Sequence, residues 1–279
     1  MLTDLLDPPA PAWAAADALA PPPGCAADWT IPQHWERFTA EDHRVWDLLF
    51  ARQQEMLDGR AVRAFSESLG VLKLSRPGIP NFEELNERLF SLTGWTVVSV
   101  PGLVPDAVFF EHLAERRFPA GNFIRSARQL DYLEEPDVFH DVFGHVPLLA
   151  VPAVADFMQR LGELGLDALE RGRMHRLARL YWYTVEFGLM REEGALCIFG
   201  AGILSSFGES RFSLESPEPR RPDFDLERVM RTTYRTDEFQ KAYFVIESFD
   251  DLLARIEEAD LGALYERMEG GEDLAPGQG

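Results

Sequence analysis

The chain has 279 residues, of which 46% are hydrophobic and 27% charged, enough length and apolar content for one substantial core. Twenty-seven basic against 47 acidic residues leave a net charge of −20. Such a surface repels phosphate backbones and anionic lipid, which argues against nucleic-acid and membrane-surface binding. Two cysteines, Cys25 and Cys197, form neither a disulfide framework nor a CxxC site and fit a reducing cytoplasm.

Residues 1–28 hold nine alanines and six prolines but no basic residue, so the charged start of an export signal is missing and a loosely draped arm is expected. No run reaches the ~18–20 apolar residues of a membrane span. Residues 40–57 place Val45, Leu48, Leu49 and Met56 at helical spacing, with Thr39 as the cap. A second helix is expected over 81–92, ending at Gly94, and then a short strand over 95–100. Helices follow at 106–116, 136–146, 154–169 and 174–191. Strand candidates are 196–199 and 211–214, and a frayed tail begins at Glu269. The expected fold is mostly α with a minor β element, as one domain over residues 29–268 between the arm and a disordered tail at 269–279.

Two segments carry chemistry. Helix 174–191 is apolar all round, as a buried helix is, yet holds Glu186 in its middle. A buried carboxylate must find a cation, shift its pKa or bind a metal. Pairing with an arginine is the simpler alternative. The second segment, Glu135-Pro-Asp-Val-Phe-His140-Asp-Val-Phe-Gly-His145-Val-Pro147, has two of the six histidines in apolar surroundings. Five positions are about 140° on a regular helix, so the rings converge only if the helix ends near Gly144 and Pro147. Two ordinary core histidines remain the alternative here. Two imidazoles and a carboxylate suit non-haem Fe(II) and zinc hydrolysis alike. Phe139, Phe143, Tyr181, Trp182, Tyr183, Phe187, Phe199 and Phe207 make the surroundings water-poor, which favours oxygen chemistry.

With Tyr181-Trp-Tyr-Thr-Val-Glu-Phe-Gly-Leu189 and Gly200-Ala-Gly-Ile-Leu-Ser-Ser-Phe-Gly-Glu209, the chain resembles the pterin-dependent aromatic amino acid hydroxylases, in order and spacing, from about Asp28 to Asp260. The resemblance is to a catalytic domain alone, which implies a monomer. It implies Fe(II) held by His140, His145 and Glu186, with tetrahydropterin and O2 as co-substrates and L-phenylalanine as the amino acid hydroxylated. Pterin-recycling enzymes would then be partners. Tryptophan or tyrosine hydroxylation is the alternative within the family, a zinc hydrolase or a non-catalytic helical domain the alternatives outside it.

Residue by residue, the resemblance implies that Arg125 grips the amino acid carboxylate, a pairing that suits a guanidinium fork, with Asp137 orienting it. Gly202 and Ser205 line the substrate side, and Trp182 and Phe187 wall the ring pocket. Val100, Gly102, Leu103 and Val104 resemble the pterin shelf, Phe109 stacks on the pterin, and Asp141, often glutamate in the animal enzymes, lies nearby. Thr236 is the departure. It falls where phenylalanine-hydroxylating members carry an aliphatic side chain and tyrosine-hydroxylating members an acid.

Overall fold

The computed structural model describes residues 20–131 and 135–277. Among these, twelve α-helices and five short strands occur, with two π-helical segments between them. Helix α1, Ala40–Leu57, starts at a capping box: Asp42 N–H donates to Thr39 Oγ1 while the Thr39 N–H donates to the Asp42 carboxylate. Such a cap is worth about 1 kcal/mol. Its buried face runs through Val45, Trp46, Leu49 and Phe50, and Leu48 is exposed. Helix α2, Arg63–Val71, follows. Helix α3, Phe82–Thr93, is capped by Asn81, whose side chain accepts from Glu83 N and Glu84 N.

Strand β1, Thr96–Val100, pairs in parallel with β2, Arg117–Gly121, and α4, Asp106–Ala114, crosses between them. This pair forms one wall of the site. Helix α5, Val146–Leu149, leads into the long α6, Pro152–Glu170. A Cβ at Gly162 would lie 2.2 Å from Ala114 N, and one at Gly165 would lie 2.2 Å from the Phe110 ring. Only glycine lets α6 approach α4 this closely. Helix α7 is Met174–Tyr181. Strand β3, Leu189–Glu192, lies between β4, Ala195–Ile198, and β5, Val245–Ile246. Helices α8, Ala201–Leu204, α9, Phe207–Glu215, α10, Leu226–Arg231, α11, Phe249–Glu257, and α12, Leu261–Met268, complete the chain. One hydrophobic cluster extends from Val45 to Met268, with Trp46, Trp95, Phe65, Phe139 and Phe143 fully buried in it.

Three expectations change. Residues 211–214 are helical, in α9: Ser206 accepts from Glu209 N and sets a helix start that overrides the short apolar alternation. The helix expected over 174–191 ends by Glu186, because sheet pairing takes over from Leu189. The tail is docked at Asp273 and Leu274: Leu274 N–H donates to Arg231 O at 2.8 Å, Thr233 N–H to Leu274 O at 2.9 Å, and Asp273 pairs with Arg176 and Arg179. Of the arm, residues 1–19 lie outside the described residues. Its end is held by Asp28, whose carboxylate meets Arg117 at 2.8 Å and whose carbonyl lies 2.8 Å from His112 Nε2. No single described helix is long and apolar enough to cross a membrane, and the pair Phe139–Leu149 and Pro152–Glu170, which would pass together, is bent by 116°.

Candidate active site

The histidines do not converge at a helix end. Phe139–His145 is a π-helix, and its i→i+5 ladder brings positions five apart nearly above one another. His140 Nε2 and His145 Nε2 are 3.3 Å apart. The segment Trp182–Glu186, which continues α7, is also π-helical and ends on Glu186. His145 Nε2 lies 3.2 Å from Glu186 Oε1, and His140 Nε2 lies 3.7 Å from Glu186 Oε2. One atom from each of the three side chains lies within 4.8 Å of the others, an arrangement that could hold one metal ion. The chain passes tightly behind Glu186, since a Cβ at Gly200 would sit 2.4 Å from its carbonyl oxygen.

Hydrogen bonding fixes the first imidazole. Ser205 Oγ donates its single proton to Ala201 O at 2.8 Å, so at His140 Nδ1, also 2.8 Å away, it must accept. His140 therefore carries its proton on Nδ1 and turns a lone pair on Nε2 toward Glu186, the tautomer a metal needs. Burial, opposed by Glu186, pulls the His140 pKa down to about 4, which keeps the ring neutral at pH 7. Burial alone would raise the Glu186 pKa, and the neighbouring His145 and His140 hold it below the ordinary glutamate range. Asp141 is held from strand β2: its Oδ2 accepts from Gly121 N–H at 2.7 Å, and burial pushes its pKa up to about 7.

A second buried pair adjoins the first. Arg125 donates from Nε to Asp137 Oδ2 and from Nη2 to Asp137 Oδ1, both at 2.8 Å, and its backbone N–H also reaches Oδ2. Asp137 Oδ1 accepts from His140 N–H at 3.1 Å, which ties the arginine to the histidine segment. Burial would raise the Asp137 pKa, but the Arg125 fork keeps it low.

The triad borders a cavity of about 820 Å³, mouth included. Val100, Gly102, Leu103, Val104, Phe109 and Asp141 line it together with His140, His145 and Glu186, so the structure brings the expected cofactor residues and metal ligands into one space. Trp182 lines the same cavity and packs 4.7 Å from the Phe187 ring. Gly202 makes room for that ring, because a Cβ there would meet Phe187 Cζ at 2.8 Å. Thr236 is not brought to the site. It is exposed, between Arg235 and Asp237, which pair with each other at 2.6 Å. Its neighbours in the chain are charged and solvated.

Sequence reasoning missed Phe118, Pro119 and Gly121 as lining residues, because strand β2 was not foreseen: Pro119 sits in its middle and disguises it. Tyr181, one of the aromatics expected around the ligands, does line the cavity. The Phe109 ring meets Tyr181 edge-on at 5.5 Å.

Comparison with known proteins resolves the choice that the donor set leaves open. Residues 30–260 match the family described as biopterin-dependent aromatic amino acid hydroxylase. A phenylalanine-4-hydroxylase of Caulobacter vibrioides is 59% identical over 254 residues, covering 91% of this chain and 86% of its own. The phenylalanine-4-hydroxylase of Chromobacterium violaceum is 50% identical over 256 residues, covering 90% of this chain and 86% of its own. The crystal structure of that organism's enzyme with iron and phenylalanine bound has a TM-score of 0.87 at 46% identity, covering 94% of each chain. This chain belongs to the biopterin-dependent aromatic amino acid hydroxylase family.

Proposed function

We propose that the chain hydroxylates L-phenylalanine to L-tyrosine, using tetrahydropterin and O2 at an Fe(II) ion held by His140, His145 and Glu186. The observation that carries the reading is the convergence of these three donors beside the Phe109 and Val100–Val104 surface, in a family defined by pterin dependence. Two imidazoles and one carboxylate on one side of an ion suit ferrous iron and leave its other positions open. Bound there, iron supplies the activation of oxygen for which the pterin provides the electrons.

The protein's own residues bind and orient. Ser205 holds the His140 tautomer. Arg125, steadied by Asp137, offers the substrate carboxylate a guanidinium whose plane is already set. Trp182 and Phe187 wall the aromatic ring, and Phe109 offers the pterin a flat face beside Leu103 and Val104. The apolar walls exclude water, which confines the reaction to the ring. Phenylalanine, rather than tyrosine or tryptophan, is supported by the names of the similar bacterial enzymes. A monomer in a reducing cytoplasm is part of the reading, supported in its second half by the free thiols of Cys25 and Cys197. Consumption of tetrahydropterin further calls for a reductive reaction that regenerates it.

The test is anaerobic reconstitution with Fe(II), then tetrahydropterin- and O2-dependent product analysis on all three aromatic amino acids. Tyrosine from phenylalanine, lost together with bound iron in Glu186→Gln and His145→Ala, is expected. Wild-type turnover in either variant would refute the ligand assignment.

A further inference from the structure

Trp182 is held by more than packing. Tyr234 stacks on it, with ring centroids 4.3 Å apart and planes 15° from parallel, and Phe187 packs against it at 4.7 Å. Stacking restrains the plane of an indole but leaves rotation within that plane free. One directional contact removes that freedom: Trp182 Nε1–H donates to Gln240 Oε1 at 3.0 Å. Gln240 is 4% exposed. Its Nε2 donates to Arg235 O at 2.7 Å and to Glu238 O at 3.3 Å, so only the amide oxygen can face the indole.

The same residue is gripped from behind. Gln240 N–H donates to Glu209 Oε1 at 3.0 Å, and the Tyr243 hydroxyl donates to the same oxygen at 2.5 Å. Glu209 and Tyr243 are themselves buried. A carboxylate buried against neutral donors is an expensive way to stabilise a fold, and an apolar cluster of the same volume would serve better. What such a polar chain supplies is a fixed geometry. Here the chain ends on one edge of one cavity-wall indole.

We infer that Gln240, backed by Glu209, is a positioning residue that locks the orientation of Trp182 and thereby sets how the aromatic substrate is seated against the metal centre. This rests on the function proposed above, and it makes Gln240 a determinant of substrate seating although it does not touch the metal ligands.

The test is Gln240→Leu, which keeps the side-chain volume and removes the acceptor, in the iron-loaded protein. Loss of one buried hydrogen bond predicts a rise of roughly tenfold in the phenylalanine KM. A loosely seated ring also lets pterin be oxidised without product, so tyrosine formed per tetrahydropterin consumed should fall. Ferrous affinity and the pterin KM should stay within about twofold, and a purely structural role would instead lower the active fraction and leave both ratios alone. Trp182→Phe, which keeps a ring and deletes the donor, should show the same changes, and the double variant should be no worse than either single one. Wild-type KM and coupling in Gln240→Leu, or additive losses in the double variant, would overturn the inference. Should Gln240→Leu fail to fold, Trp182→Phe alone decides, and unchanged coupling there overturns it. A wild-type protein that makes no tyrosine refutes the functional reading instead, so the two failures are distinguishable.

Discussion

Ser205 stands behind a metal-ligand candidate, on the Nδ1 side of His140, and its removal should be felt at the metal. In Ser205→Ala, His140 Nδ1–H loses its hydroxyl partner, 2.8 Å away. The imidazole can then relax by rotating, or by moving its proton to Nε2, and either takes the lone pair away from His145 and Glu186. Deleting an outer partner of a ligating histidine typically weakens metal affinity about 10–100-fold. At 1.4 kcal/mol per factor of ten that is about 1.4–2.8 kcal/mol, which matches the ~1–3 kcal/mol of an unsatisfied buried donor. The assay is anaerobic Fe(II) titration against a competing chelator, with thermal unfolding of the metal-free protein as control. Affinity should fall at least tenfold while the metal-free Tm moves little, and Ser205→Thr, which keeps the hydroxyl, should recover most of the loss. Iron affinity within twofold of wild type in Ser205→Ala would show that packing alone orients His140 and that the hydroxyl is incidental.

Other outcomes follow from the same geometry. Arg125→Lys keeps the charge but cannot span both Asp137 oxygens, so the phenylalanine KM should rise at least tenfold with iron content unchanged; an unchanged KM would place the carboxylate elsewhere. Asp273→Asn should lower stability by about 1–2 kcal/mol, the lower part of the range for charge-assisted bonds because its carboxylate is partly exposed. Burial raises the Asp273 pKa, but Arg179 and Arg176 outweigh it and the folded value is depressed. The carboxylate's contribution is therefore complete above the ordinary aspartate range near 4 and fades as pH falls through the folded value. The Tm gap between wild type and Asp273→Asn should accordingly be wide at pH 7 and narrow as pH falls below the ordinary aspartate range, and a gap independent of pH would refute these ion pairs. Thr236→Val and Thr236→Asp should leave the phenylalanine-to-tyrosine ratio of kcat/KM within a factor of two, since the side chain is exposed; a larger change would mean that the loop folds inward on binding substrate.

The legible parts of this sequence are those set by local chemistry. Thr39 with Asp42, and Asn81 ahead of an amphipathic run, announce α1 and α3, because a cap acts within one turn and needs nothing from the rest of the fold. Strand β2 was not legible. Arg-Phe-Pro-Ala-Gly has poor strand propensity, and only the parallel partner β1 across a helix makes it a strand. The docked tail was invisible for the same reason, since Glu-Asp-Leu-Ala-Pro reads as solvated until Arg176, Arg179 and the Thr232–Thr233 backbone are brought alongside it. The candidate site was legible as residue types, because carboxylate and imidazoles stand out in apolar surroundings. Thr236 was placed by its family position alone, and its exposure between Arg235 and Asp237 comes from the fold, which no local signal in that stretch announces.

The spacing of the ligands carried more information than a regular helix could use. At about 100° per residue, His140 and His145 diverge, which makes a helix end seem necessary. The structure meets the requirement differently, with a π-helical turn at Phe139–His145 and a second one at Trp182–Glu186. Each widened turn departs from the favoured i→i+4 ladder, and an isolated chain has little reason to form it. Both are embedded among residues that over-determine them. Phe139 and Phe143 stack at 4.8 Å and pack edge-on against Trp46, Phe50 and Phe65, while Asp137 secures the His140 N–H at the entrance. Behind Glu186, Thr184 Oγ1 donates to Leu180 O at 2.6 Å, and Gly200 allows the backbone to close in. The apolar residues around the ligands therefore do two things at once: they dry the cavity, and they hold the backbone in the less favoured helix that makes three donors face one point. A core substitution such as Phe143→Leu, whose ring contacts are Phe50, Phe65 and Phe139 and which offers no donor to a metal, should then weaken Fe(II) affinity in an anaerobic chelator titration more than it lowers the metal-free Tm, because the π turn relaxes toward α geometry and His145 swings away from His140; unchanged affinity would show that the turn does not depend on this packing.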